Sequence, residues 1–160
     1  MKHLKKNRTI IRFLASMSLV IFVLPFFQMC SDEAIRSKPR LFHSYSEEKT
    51  DQEKEVAFKQ TKKELTMSGY DLAMSFESVF YGFTAILFIH ITLWVCVFRK
   101  HYNVLLLSLL NLIIIVISIV ALGLMLPGLS QIRYGILLCL INSSLLFYFV
   151  YKEKENSVYL

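Results

Sequence analysis

The sequence predicts an all-α membrane protein in which four transmembrane helices form one bundle. The strongest support for this prediction is an uncharged run of 23 residues, Val104 to Leu126. As a helix, this run is long enough to cross a hydrocarbon core about 30 Å thick. The composition agrees, since 55% of the 160 residues are hydrophobic and 13 are Phe. Three further apolar runs complete the set, and a chain of this length forms a single membrane domain.

The first predicted transmembrane helix covers residues 9–29, directly after a basic head. A cleaved signal peptide is the alternative, but its peptidase requires small residues at positions −1 and −3, and none precede Cys30 in that spacing. Met29 also stands where lipoprotein processing requires a small residue. We therefore expect a retained helix, with Pro25 near its outer end, where a missing N–H costs least.

Residues 31–71 form a densely charged extramembrane loop with eight Lys/Arg and nine Asp/Glu. Thr50 and Glu53 have the spacing of a capping box, and Gly69 is placed as the stop of the helix that they begin. Glu55 and Lys59 form a favourable i,i+4 pair on that helix. The loop is interpreted as a solvated or partly disordered segment, with a partner-docking helix as the alternative.

The remaining transmembrane helices are predicted at residues 75–98, 104–126 and 134–150. Lys and Arg divide evenly, nine on each side of the membrane, so the orientation rests on the basic head and the short loops. Both indicate an N-terminus and a C-terminus in the cytoplasm. The predicted location is the inner membrane of a bacterium, with residues 31–71 outside.

Polar residues fall at one depth in the predicted bundle, within about 6 Å of the midplane at ~1.5 Å per residue. His90 is the ionisable member, which makes it a functional candidate. Two interpretations are open. In a proton relay, the imidazole of His90 carries the proton. In a structural layer, the same polar groups hold the helices together by hydrogen bonds. The candidate residues are His90, Asn111, Asn142, Ser143 and Ser16, with Ser18 and Ser144 beside them.

Small residues mark a candidate packing face on the second and third membrane helices. Such a face brings backbones close together, either within the bundle or between copies of the chain. The residues are Gly82, Ala85, Ser108, Ser118 and Ala121.

Several function classes are excluded by what the sequence lacks. The three cysteines have no CxxC spacing, so neither a zinc site nor a redox motif is predicted, and no cofactor is expected. No hydrolase, metalloprotease or nucleotide-binding motif occurs, which argues against an enzyme. The net charge of +6 lacks the aromatic-interleaved basic face of a nucleic-acid-binding protein.

Three short segments resemble small bacterial inner-membrane proteins without an assigned activity. These are Leu24-Pro25-Phe26-Phe27 leading to Cys30, the run Thr66 to Ala73 (TMSGYDLA), and Arg133-Tyr134-Gly135. Met29 departs from the pattern, which usually has a small or polar residue before the cysteine. By architecture alone, the chain is also similar to four-helix membrane accessory proteins of type VI-B CRISPR loci, an analogy of fold only.

These observations predict a protein that acts by association, as an accessory or modulatory subunit of a larger system. Its expected partners are the lipid bilayer and another protein or further copies of itself. The alternative is a small oligomeric channel or transporter-like unit that uses the polar layer, and a membrane enzyme ranks third.

Overall fold

The computed structural model describes residues 2–37, 51–75, 80–99, 103–125 and 131–158. Most of these residues are helical. The elements in chain order are α1 (Lys2–Ile21), β1 (Pro25–Gln28), α2 (Asp32–Ser37), α3 (Asp51–Glu64), β2 (Thr66–Ser68), α4 (Gly69–Met74), α5 (Tyr81–Arg99), α6 (Val104–Met125) and α7 (Tyr134–Val158).

Within the described ranges, three helices are long and apolar enough to cross a membrane. They are α5 over its whole length, α6 over Val104–Leu124 and α7 over Tyr134–Glu155. These three helices confirm the prediction of a mostly helical membrane protein. Helix α6 agrees with the predicted 104–126 over Val104–Met125, because nothing in its apolar run breaks the helix, and Leu126 lies outside the described residues.

The first predicted helix, residues 9–29, extends eight residues too far at its C-terminal end and begins seven residues after the observed start at Lys2. Helix α1 ends at Ile21, the chain turns through hydrogen bonds from Val23 N to Val20 O (3.0 Å) and from Leu24 N to Ile21 O (2.9 Å), and Pro25 begins a strand. The physical reason is Pro25 itself, which lacks an N–H and pushes Leu24 away from helical geometry.

The two strands correct the all-α prediction. Strands β1 and β2 pair antiparallel, with Pro25 opposite Ser68 and Gln28 opposite Thr66, and Phe27 forms a further bridge to Ile132. Strand β1 is largely buried, and buried backbone outside a helix requires hydrogen-bond partners for its N–H and C=O groups. The partners come from distant segments, including Arg133 N to Phe26 O at 2.9 Å.

The loop helix also ends earlier than predicted. Helix α3 stops at Glu64, and Gly69 is the first residue of α4 rather than a helix stop. Ser68 caps α4 in a true capping box, since its hydroxyl accepts from Asp71 N and the Asp71 carboxylate accepts from Ser68 N. The predicted Glu55–Lys59 pair is present at 3.8 Å, whereas Thr50 lies outside the described residues.

Helices α5 and α7 have different bounds from those predicted. Helix α5 begins at Tyr81 rather than at residue 75, because Ser75 ends the separate helix α4. Helix α7 continues to Val158 rather than stopping at 150, so the polar tail is helical. An ion pair between Arg8 and Glu153, 2.6 Å apart, holds this extension against α1.

Helix α1 packs against α5 and α7, and α6 packs against the same two helices. Among the described residues, the buried apolar side chains form two clusters, one around Phe22, Phe26 and Phe83 and one around Ile11 and Leu93. One or two buried polar side chains on each of α1, α5, α6 and α7 lie between these clusters. The outward faces are apolar, as a lipid environment requires.

Candidate functional site

The buried polar residues Ser18, His90, Asn111, Asn142 and Ser143 lie between the two apolar clusters, and we call them the inner polar layer. All five side chains are buried, and Asn111 is fully so. The sequence placed these residues at one depth, and the structure brings them into two hydrogen-bonded groups.

Asn111 joins three helices. Its Nδ2 lies 3.0 Å from His90 Nε2 on α5 and donates to Ser143 Oγ on α7 at 3.1 Å. The Phe22 ring meets the His90 ring edge-on, with 5.3 Å between centroids. His90 is therefore enclosed by one amide and one aromatic ring.

The second group ties α7 to α1. Asn142 Nδ2 donates to Ser18 Oγ at 2.7 Å and to the Leu14 carbonyl at 3.1 Å. Ser18 Oγ in turn donates to the same carbonyl, at 3.1 Å. All three bonds lie within one copy of the chain, and the two from Asn142 join α7 to α1, which is how interhelical polar groups stabilise a membrane bundle.

Ser16 does not belong to the inner polar layer, which corrects its predicted place. It is half-buried and accepts a hydrogen bond from Trp94 Nε1 at 3.2 Å. Two residues along a helix correspond to a rotation of about 200°, so Ser16 and Ser18 face different neighbours. Ser144 is likewise exposed and bonds only the Leu140 carbonyl of its own helix, at 2.8 Å.

The candidate packing face lies partly between α5 and α6. A Cβ added to Gly82 would collide with the Ser118 hydroxyl, so these helices approach closely at this position. Ser108 is buried and donates to the Leu105 carbonyl at 2.9 Å, while Ala85 and Ala121 are half-buried. The Gly82–Ser118 approach is a contact within one chain.

Sequence reasoning missed an ionic group outside the apolar bundle. Asp32 Oδ2 pairs with Lys62 Nζ at 2.6 Å, and its Oδ1 pairs with Arg133 Nη2 at 2.9 Å. Gln28 donates to the same Oδ1 at 2.9 Å and accepts from Arg133. We call these four residues the Asp32 cluster. It fastens helices α2 and α3, hereafter the cap, to the start of α7.

The electrostatics of the Asp32 cluster favour the charged carboxylate. The hydrogen bond from Lys62 and then that from Gln28 lower the pKa of Asp32 from 3.8 to about 2, against a smaller opposing effect of burial. No local sequence signal identifies the cluster, because Asp32 lies 30 residues from Lys62 and 101 from Arg133.

We expect Asp32→Asn to loosen the cap. Loss of the charge weakens both ion pairs at a half-exposed site, a cost of about 1 kcal/mol and so roughly fivefold more opening. Because the folded-state pKa is lowered, the wild-type contribution is fully present above about pH 4 and is lost as the pH falls toward 2. Faster hydrogen exchange of the amides in residues 60–65 measures the effect. Glu33→Gln, at an exposed neighbour, is the matched control, and equal exchange in both variants would contradict the role of Asp32.

The three segments that carry the sequence resemblance meet at one place, which we call the junction. Phe26 of the first segment contacts both glycines of the other two: a Cβ on Gly69 would lie 3.0 Å from its Cζ, and one on Gly135 2.5 Å from its Cδ1. The Gly135 Cβ would also lie 2.5 Å from the Pro25 carbonyl oxygen. Both positions therefore require the absence of a side chain.

The described residues offer few groups for chemistry. No group of three or more His, Cys, Asp or Glu side chains within them is placed to hold a metal ion. Cys30, Cys96 and Cys139 are free thiols. What the arrangement provides is hydrogen bonding and ion pairing between elements far apart in the chain.

Comparisons with known protein families, curated proteins and solved structures give no match to this chain.

Proposed function

We propose that this chain is a four-span protein of a bacterial inner membrane that acts by association, as an accessory or modulatory subunit of a larger system. The observation that carries the proposal is the Asp32 cluster, which fixes the cap to the membrane helices. A cap held in this way presents a defined extramembrane surface to a partner. Type VI-B CRISPR systems, which use four-helix accessory proteins, are one such setting by analogy of architecture.

The packing of α1 supports a fourth span. Helix α1 lies between α5 and α7, and its outward residues Phe13 and Val20 are 61% and 58% exposed, which suits contact with lipid. From Thr9 to Ile21 the helix rises roughly 20 Å, and β1 adds roughly 13 Å. The helix and the strand together match a hydrocarbon core about 30 Å thick.

We expect the cap to face the periplasm. In a variant without native cysteines, Lys54→Cys should react with an impermeant thiol reagent in intact spheroplasts, because Lys54 is an exposed cap residue. Lys152→Cys, at the opposite end of the bundle, is the control and should react only after lysis. The reverse pattern would overturn both the orientation and the cytoplasmic placement of the termini.

The outer surface of α3 is the part of the cap available to a partner. Val56 is 64% exposed among charged neighbours, while Phe58 is turned inward, with the Arg36 guanidinium 4.3 Å from its ring centroid. An apolar side chain presented on a charged helix suits a polar interface with one apolar contact.

Affinity purification of the full chain in mild detergent tests the association. We expect a co-eluting protein in near-stoichiometric amount, and its loss with Val56→Glu, which places a charge on the exposed face without touching the Asp32 cluster. Lys152→Gln, a surface change at the other end, should retain it. A wild-type chain that elutes alone would contradict the proposal.

A small channel is the second candidate, and one observation favours it. Within the described residues, His90 Nδ1 and Asn111 Oδ1 are buried and have no hydrogen-bond partner. Buried polar atoms without partners are costly, and in transport proteins such atoms face water or an ion.

The His90→Asn variant separates the two functions. If the inner polar layer is structural, the variant keeps a polar side chain and the purified protein in liposomes shows no proton or ion leak at pH 5–8, like wild type. If the layer conducts, wild type shows a pH-dependent leak that His90→Asn abolishes, since the titrating group is gone. We expect the first result, because His90 and Asn111 bond each other inside one chain.

A further inference from the structure

The two ends of the helix bundle carry very different charge. Among the side chains that the structure describes, the end formed by the start of α1 and the ends of α5 and α7 has five basic residues against the two acids Glu153 and Glu155, whereas the cap end has six basic and six acidic residues. The five basic residues of this first end, hereafter the basic end, are Arg8, Arg12, Arg99, Lys152 and Lys154.

Side-chain contacts bring the segments of the basic end together. Arg8 on α1 pairs with Glu153 on α7 at 2.6 Å, and the Arg12 guanidinium lies 5.4 Å from the centroid of the Phe98 ring on α5. These contacts place the start of α1 beside the ends of both other helices. The positive charge is therefore concentrated in space as well as in sequence.

The surface where α1 meets α5 combines this charge with aromatic side chains. The Phe98 ring lies 5.0 Å from that of Trp94, and Trp94 Nε1 donates to Ser16 on α1. Trp94 and Phe98 are both partly exposed, and Arg99 follows them at the surface. A guanidinium held against an aromatic ring keeps its planar fork of donors available, and such a fork matches the geometry of a phosphate.

We propose that this surface binds the headgroup of an anionic phospholipid. Arg12 engages the phosphate, Arg99 supplies a second positive charge at the end of α5, and the Trp94 and Phe98 rings cover the glycerol region where it meets the acyl chains. A lipid fits better than a nucleic acid or an acidic peptide, because the neighbouring helix surfaces are apolar and exposed, as at Phe13. The proposal depends on the membrane location of the chain and not on a protein partner.

Native mass spectrometry of the detergent-purified full chain tests the proposal. Phosphatidylglycerol and phosphatidylcholine with identical acyl chains are added in equal amounts, and we expect wild type to retain at least about fivefold more of the anionic lipid. Arg12→Gln should lower that preference about fivefold, the factor expected for one basic residue near an anionic headgroup. Lys59→Gln removes the same charge at the cap end and should leave the preference unchanged.

Equal retention of the two lipids by wild type, or an unchanged preference in Arg12→Gln, would overturn the proposal. Circular dichroism and elution volume establish that each variant is folded. If Arg12→Gln does not fold, Arg99→Gln carries the same test, since Arg99 is exposed and its loss leaves the contact between Arg12 and Phe98 in place.

Discussion

Gly135→Ala is expected to destabilise the protein by about 2–3 kcal/mol, the upper part of the range for overpacking a tight contact. The new methyl group would lie 2.5 Å from the Pro25 carbonyl oxygen and the same distance from Phe26 Cδ1. Backbone cannot rotate away as a flexible side chain can, so β1 must move from the start of α7. That movement also strains the hydrogen bond from Arg133 N to Phe26 O.

Thermal unfolding in detergent measures this effect. A thiol-reactive dye reports unfolding when the buried Cys139 becomes accessible, and the midpoint should fall by about 5–10 °C. Gly82→Ala is the matched control, because its neighbour is the Ser118 hydroxyl, a small side chain that can rotate. We expect a smaller loss there, of about 1 kcal/mol. If the Gly135→Ala variant were as stable as wild type, β1 would not pack tightly against the start of α7.

Asn111→Leu is expected to cost about 2 kcal/mol. The substitution removes the side chain that bonds both His90 and Ser143, and it leaves two buried polar groups without their partner. Interhelical hydrogen bonds in membranes contribute on average about 0.6 kcal/mol each and at most ~1.7 kcal/mol. The expected cost of Asn111→Leu is therefore that of losing two such bonds.

The same dye assay detects the change, and Ser144→Ala provides the reference. Ser144 is exposed and bonds only its own helix, so its loss should stay within about 0.5 kcal/mol. If Asn111→Leu were as stable as the reference, the inner polar layer would not hold the helices together. That result would favour the channel, in which the polar atoms of the layer contact water or an ion.

The sequence alone was sufficient for elements whose signal is local. Helix α6 could be predicted because a long uncharged run leaves few alternatives, and α7 begins at Tyr134 as expected. The inner polar layer could be predicted for a related reason. Successive helices run in opposite directions with a fixed rise per residue, which places His90, Asn111 and Asn142 at a common depth. The bonds among these residues required the helix rotations, which sequence does not supply.

The parts that were missed depend on partners far away in the chain. The last few residues of the apolar run from residue 9 to 29 fit either the end of a helix or a short strand, and β1 forms because Thr66–Ser68 returns to pair with it. The Asp32 cluster could not be predicted for the same reason, because it joins three segments that are far apart in the chain. One missed feature did have a local signal, since Ser68 and Asp71 show the spacing of a capping box.

The hydrogen bond from Arg133 N to Phe26 O also has a consequence for biogenesis. A ribosome that adds about 5–20 residues per second needs roughly 5–20 s to make the hundred residues between these positions. During this interval β1 can already pair with β2, but the Phe26 carbonyl oxygen lacks its hydrogen bond from Arg133. A nascent chain that stalls before Arg133 therefore leaves this carbonyl without that partner, and β1 can pack against the start of α7 only after the last described helix has been made.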